Sequence, residues 1–215
     1  MLITNEVDVN DVMDRPRLSA RRAQTRERLM TAALSTFAAR GIAGASVEEI
    51  CEAAGFTRGA FYSNFGDKDA LVLALIQASI ASQYAAAEQA IAAMKAQGGE
   101  RHAHELVSLA LTEYEAVGRP DRDTVLVQQE LLLYAARQPA LRGPYLAFVD
   151  ECLRQLTVLL QDAMRFSGLQ FTCDFADAIE LLTAAHSHMH LQSLFTGTVD
   201  ARILHTLLNS ITSPL

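Results

Sequence analysis

The residue types best suited to chemistry lie in one short segment, Thr57-Arg58-Gly59-Ala60-Phe61-Tyr62-Ser63-Asn64-Phe65. At helical spacing Ala60, Phe61 and Phe65 pack inward, leaving Thr57, Arg58, Gly59, Tyr62, Ser63 and Asn64 outward. Such a face suits nucleic acid. A guanidinium reads guanine in the major groove or binds phosphate. Phenol and amide groups hold phosphates and set register, and a glycine lets backbone and bases approach closely. Upstream, Ser46-Val47-Glu48-Glu49 matches a capping box, with Ser46 as N-cap and Glu49 three residues on. Val47, Ile50, Cys51 and Ala54 form one apolar stripe. A helix over about 46–53, a tight turn at Gly55 and a Thr57-capped helix over 57–63 make a helix-turn-helix.

The remaining reactive residues form no comparable constellation. His186, His188 and His190 would share one face of a strand and could then bind a metal. In a helix only His186 and His190 share a face, so packing is the expected role and no metal site is predicted. Cys51, Cys152 and Cys173 are odd in number and far apart, with no CxxC pair. They predict neither zinc nor disulfides and fit a reducing cytoplasm. No nucleophile–base pair, phosphate loop or carboxylate pair is visible, so no catalytic residue and no cofactor is expected. Tyr84, Tyr114, Gln128, Tyr134, Phe148, Cys152 and His186 stand on otherwise apolar helices. Aromatic rings with a few polar tips suit a small organic ligand; ordinary core positions are the alternative reading.

The elements that would position these residues are helices throughout. The chain has 215 residues, half of them hydrophobic, and few glycines or prolines. Spacing predicts helices over 17–40, 46–53, 57–63, 68–95, 102–117, 122–137, 140–166, 174–195 and 201–212. Breaks are expected at Gly41, Gly98-Gly99, Gly118-Arg119-Pro120, Gln138-Pro139, Ser167-Gly168 and Gly197. Residues 1–16 read as a disordered tail without an apolar leader, and Met13 is an alternative start. Charge is unevenly spread: residues 15–68 carry nine bases and five acids, residues 69–215 nine bases and sixteen acids. A basic segment on an acidic body is expected where one region meets phosphate. Residues 71–87 and 181–199 lack full charges, but Gln77, Gln83 and the histidines mark them as buried helices of a soluble protein, not membrane spans.

Residues 23–70 resemble the N-terminal DNA-binding domain of the TetR family. The resemblance rests on Phe37-(x3)-Gly41, on the Ser46-capped helix, on a third helix shaped T-x-G-x-F-Y-x-x-F, and on Lys68 after Gly66-Asp67. It implies an all-α protein: a three-helix helix-turn-helix domain (17–66), then a larger helical ligand-binding and dimerisation domain (67–215). It implies a phosphate contact for Ser46 and base-facing roles for Thr57, Arg58 and Gly59. Tyr62 and Asn64 would hold the backbone, although the family often has histidine or tyrosine at Asn64. Lys68 would bind phosphate at the head of the fourth helix, and Arg22 and Arg26 a neighbouring phosphate or the minor groove. The expected partners are double-stranded operator DNA, a small organic ligand and a second copy of the chain, with no membrane. Helix 174–195 is apolar nearly all round, so it and the last helix are expected to pair with their symmetry mates. Met189, Leu191, Leu194, Leu204, Leu207 and Leu208 would meet there. The function implied is a ligand-released repressor on a near-palindromic site. The alternatives are a metal-dependent enzyme or a ligand-independent DNA-binding protein with the same head.

Overall fold

A computed structural model describes residues 9–97, 103–117 and 121–215. The first part of the expected tail and the breaks at Gly98-Gly99 and Gly118-Arg119-Pro120 lie outside the described residues. The described chain is helical apart from one small strand pair and its turns, and it divides into two compact units between Val72 and Leu73.

The first unit is built on α1 (Val9–Gly44), α2 (Val47–Ala54), α3 (Arg58–Asn64) and the start of α4 (Lys68–Gln97). α1 reaches back to Val9, so residues 9–16 are helical where a tail was expected. Gly41 interrupts α1 with φ 71° and ψ 161°, a backbone state that favours glycine. Ser46 caps α2 in a complete capping box, and Gly55 ends it in the left-handed region at φ 70°. The core is a set of fully buried side chains, Leu29, Phe37, Ile42, Ile50 and Phe61, with Phe65 nearly so.

The second unit comprises the rest of α4 with α5 (Ala103–Val117), α6 (Arg122–Arg137), α7 (Pro139–Ser167), α8 (Phe175–Thr196) and α9 (Arg202–Ile211). Asp121 and Asp174 cap α6 and α8 through their carboxylates, and Gln138 both ends α6 and precedes the Pro139 start of α7. One apolar cluster joins Ile91 and Met94 of α4 to Leu106 and Ala163. Another joins Leu111, Met189, Ala201 and Leu204. The expectation of helices alone is corrected by β1 (Leu169–Phe171), which pairs antiparallel with β2 (Thr212–Pro214), Gln170 facing Ser213. Three-residue strands are too short to show alternation in sequence. Gly168 turns the chain into β1 at φ 67°, and its carbonyl accepts from the Leu215 amide at 2.9 Å. Among the described residues α4 alone is long and apolar enough to cross a membrane, by length and composition.

Candidate nucleic-acid interface and ligand cavity

In the first unit α3 is held from its two ends and from beneath. At its start the Thr57 hydroxyl accepts from the Ala60 amide at 3.2 Å. Beneath it Phe61 and Phe65 are buried, with ring centroids 5.7 Å apart. At its end Arg22 donates to the Ser63 carbonyl at 3.2 Å and Arg26 to the Asn64 carbonyl at 2.9 Å. The Arg26 guanidinium also lies 4.1 Å from the Phe65 ring centre, a cation–π contact. Two cations at a helix C-terminus meet both its unpaired carbonyls and its dipole. The outward face then carries Thr57, Arg58, Gly59, Tyr62 and Ser63, all exposed. Arg58 pairs with Glu48 of α2 at 2.9 Å and lies 6.0 Å from the Tyr62 ring. The Tyr62 hydroxyl and the Glu48 carboxylate push the Arg58 pKa up.

Four of the expected DNA contacts bond to backbone carbonyls within the protein, the first being Arg22 to the Ser63 carbonyl. Lys68 turns its ammonium onto the carbonyls of Ile42 (2.5 Å) and Ala45 (2.9 Å), tying down the α1–α2 connection; burial lowers its pKa. Asn64, expected to face outward, is half-buried. Its amide donates to Ala60 O at 2.8 Å, and its Oδ1 is buried without a protein partner among the described residues. Arg26 is half-buried and serves α3 rather than standing free on the surface. In each case a backbone carbonyl close to the side chain offers a partner that sequence spacing does not reveal. Ser46 is half-buried in its capping box: its hydroxyl accepts from the Glu49 amide and donates to the Glu49 carboxylate. The Ser46 backbone amide, and then its hydroxyl, donate to the Glu49 carboxylate and hold its pKa down.

In the second unit, a cavity of about 360 Å³ opens among α4, α6, α7 and α8. Gln128, Cys152 and His186 line it, as expected. Tyr84 and Phe148 line an adjoining hollow of about 200 Å³ that shares Ile80 and Cys152 with it. Tyr134 lines neither, and Tyr114 stands behind the wall, its hydroxyl 2.7 Å from His186 Nε2. The expectation missed Ser79, Tyr145 and His190. Ser79 could be found only by pairing with Gln128, whose amide donates to it at 3.0 Å. His190 follows from the i, i+4 relation to His186; their Nε2 atoms are 3.0 Å apart. Burial, then the neighbouring His190, holds the His186 pKa down to about 4. Burial, then Cys152, pushes Tyr114 up to about 12. His188 is exposed, away from the pair.

Residues 29–75, which contain α2, α3 and the Lys68 staple, match the family described as bacterial regulatory proteins, tetR family. Over those residues the head resembles the DNA-binding domain of that family. The HTH-type transcriptional regulator SrpR of Pseudomonas putida is 40% identical over 65 residues, which are 30% of this chain and 29% of SrpR. The match thus spans less than a third of that relative's length. Solved structures extend the likeness in fold to most of the chain. A putative TetR-family regulator from Mesorhizobium loti superposes with a TM-score of 0.68 at 18% identity, over 88% of this chain and 96% of that one. FadR from Bacillus subtilis, solved with stearoyl-CoA, gives 0.62 at 19% identity, over 86% and 94%.

Behind the TetR-type head, the residues expected at a dimer interface separate into two sets. Met189 and Leu204, 3% and 5% exposed, lie in the core of their own chain, and Leu208 packs against the same cluster. Leu194 and Leu207 are half-buried. Only Leu191 is exposed, at 39%. The sequence shows that α8 and α9 have apolar surface in excess of one face, but not which face the rest of the unit covers.

Two outcomes follow. Lys68→Met removes a charged donor from two carbonyls and is expected to lower stability by about 2 kcal/mol in urea unfolding. His186 is neutral when folded, with a pKa below the 6.5 of a free imidazole, so the unfolded state takes up its proton first as pH falls. Its contribution is therefore complete above about pH 6.5 and is lost toward pH 4, a change of about 3 kcal/mol. Urea unfolding from pH 7 to pH 4 checks this: His186→Phe is expected to flatten the profile by that amount relative to the parent protein.

Proposed function

We propose that this chain is a cytoplasmic, ligand-released transcriptional repressor that binds a near-palindromic DNA operator as a homodimer. In this reading residues 17–66 are the DNA-binding domain and residues 67–215 the regulatory and dimerisation domain. The observation that carries it is the outward face of α3, where Thr57, Arg58, Gly59 and Tyr62 stand exposed on a helix fixed at both ends. The Arg58–Glu48 pair does not oppose this role. Both side chains are more than half exposed, and a pair of that kind contributes only about 0.2–1 kcal/mol, so a guanine or a phosphate can displace Glu48. Ser46 and Tyr62 supply the accompanying backbone contacts.

Two features support ligand control. The cavity is built into the body, and the structurally similar FadR was solved with stearoyl-CoA. α4 carries Lys68 in its first turn and Ile76, Ser79 and Ile80 on the cavity wall, so one helix serves both regions. A ligand that favours one setting of that helix by about 1–3 kcal/mol changes operator affinity roughly 5–150-fold. Regulation, not catalysis, is the activity this arrangement serves.

Dimerisation is supported by α8. Leu181, Ala184, His188, Leu191 and Phe195 are all exposed and recur at three- and four-residue steps, the spacing of a helix-pairing seam. Phe195 is 81% exposed, and Ile203 of α9 is exposed as well. Exposed apolar rows of this length mark contact surfaces. The contact set is therefore Leu181, Leu191, Phe195 and Ile203, with Leu194 and Leu207 at its margin.

Operator fragments recovered by selection on the purified protein provide the first check: Arg58→Ala is expected to weaken binding at least tenfold, and unchanged affinity removes Arg58 from the interface. For the seam, Phe195→Asp is expected to convert a dimer at micromolar concentration into a monomer in sedimentation equilibrium. A parent protein that sediments as a monomer sinks the dimer.

A further inference from the structure

We propose that Glu48 sets the specificity of the DNA face: it keeps the Arg58 guanidinium for a guanine edge and turns it away from phosphate. The inference rests on the reading of the head as DNA-binding and gives a specificity role to a residue outside the expected contacts.

The placement of charge comes first. Glu48 and Glu49 both lie in the first turn of α2, where an acid complements the helix dipole. Glu49 is committed to the fold. Its carboxylate accepts from the Ser46 amide and hydroxyl and pairs with Arg40 at 2.6 Å. Glu48 takes no part in that cap. Its carboxylate reaches across to α3 and stands 2.9 Å from Arg58 Nη1, and more than half of each side chain is exposed. The dipole accounts for an acid in this turn, but not for one set against the arginine on the outward face of α3. An anion at that point lowers the attraction to any duplex. What matters is which partner of Arg58 it disfavours most.

Two kinds of partner compete for the guanidinium. Guanine presents two neutral acceptors, O6 and N7. Phosphate presents a negative charge. A guanidinium has five N–H donors in a fixed fork, so it can serve guanine with two of them while Glu48 stays on Nη1. The Tyr62 ring, 6.0 Å from the guanidinium carbon, flanks the same group. Gly59, the next residue, is exposed and adds no side chain between Arg58 and the duplex. A phosphate on this guanidinium brings a second anion beside Glu48. Two unit charges about 4 Å apart lose roughly fivefold in affinity even in the dielectric of water. The discrimination does not need a strong ion pair, and exposed pairs are weak. A group that displaces Glu48 from contact still meets its charge within the reach of one side chain. Through Glu48, then, Arg58 distinguishes a neutral acceptor from an anionic one.

The test compares the parent protein with Glu48→Gln, Arg58→Ala and the double variant. Both sites are exposed and outside the α2 cap, so the variants keep the fold, and glutamine keeps the shape of Glu48 without its charge. Operator fragments selected by the parent protein supply the sites. Fluorescence anisotropy measures affinity for the operator, for each single base-pair change in one half-site, and for an unrelated duplex over a salt series. The base pair that Arg58 reads is the one at which Arg58→Ala abolishes discrimination. At that pair Glu48→Gln is expected to cut discrimination about fivefold. It is also expected to bind unrelated duplex about fivefold more tightly, with a salt slope steeper by about 0.9. In the Arg58→Ala background the same change is expected to leave discrimination at every base pair unmoved. Undiminished discrimination at the Arg58 base pair in Glu48→Gln overturns the proposal. So does a loss confined to another pair, which would give Glu48 a base of its own, and so does an Arg58→Ala variant that keeps every base preference. If the parent protein selects no duplex, the DNA-binding reading falls and this inference falls with it. An operator whose discrimination ignores Glu48 removes the inference alone and leaves that reading standing.

Discussion

A helix as short as α3 cannot offset the entropy of ordering its own backbone with its own hydrogen bonds, so its position has to be imposed by its surroundings. The first unit does this at every point where the helix could fray. Thr57 satisfies an amide at the start, and Arg22 and Arg26 satisfy carbonyls at the end. Phe61 and Phe65 anchor the underside among the fully buried side chains of α1 and α2. Lys68 closes the frame by donating to the carbonyls of Ile42 and Ala45. Of the outward residues Thr57 caps the helix, while Arg58 and Tyr62 take no part in the bonds that fix its ends.

Much of that frame is legible in sequence because it is local. A serine followed three residues later by glutamate, a glycine after an apolar stripe, and a threonine before a short polar helix act over one turn of chain. The structure shows each in place. The long helices are equally legible, since Asp121, Gln138-Pro139, Gly168 and Gly197 end or begin them by the same local rules. What spacing cannot show is where a long cationic side chain goes. Arg26 and Lys68 reach partners 38 and 26 residues away, and the sequence reads them as surface charge. The same limit explains Met189 and Leu204. Periodicity places them on apolar faces, but whether such a face meets its own chain or a second copy depends on packing between distant helices. The β1–β2 pair escaped notice because its register is set by segments some forty residues apart.

The body shows how polarity is distributed around a cavity. Its wall mixes aliphatic side chains with neutral donors and acceptors, and full charges lie outside it or are paired. The Tyr114–His186–His190 chain is the most polar feature of that wall, and burial keeps it neutral. Three residues from α5 and α8 are thereby linked through their side chains.

For the proposed operator-binding role, the inward-turned cations have a consequence. Non-specific affinity comes largely from phosphates neutralised and counter-ions set free, each phosphate adding about 0.9 to the slope of affinity against salt. Lys68 and Arg26 already serve backbone carbonyls, so they add less to that slope than their number in the sequence suggests. A head built this way leans more on Arg58 and its neighbours and less on bulk charge. In the proposed repressor, such a head would be held less strongly by unrelated duplex, and its occupancy of an operator would drift less as ionic strength changes.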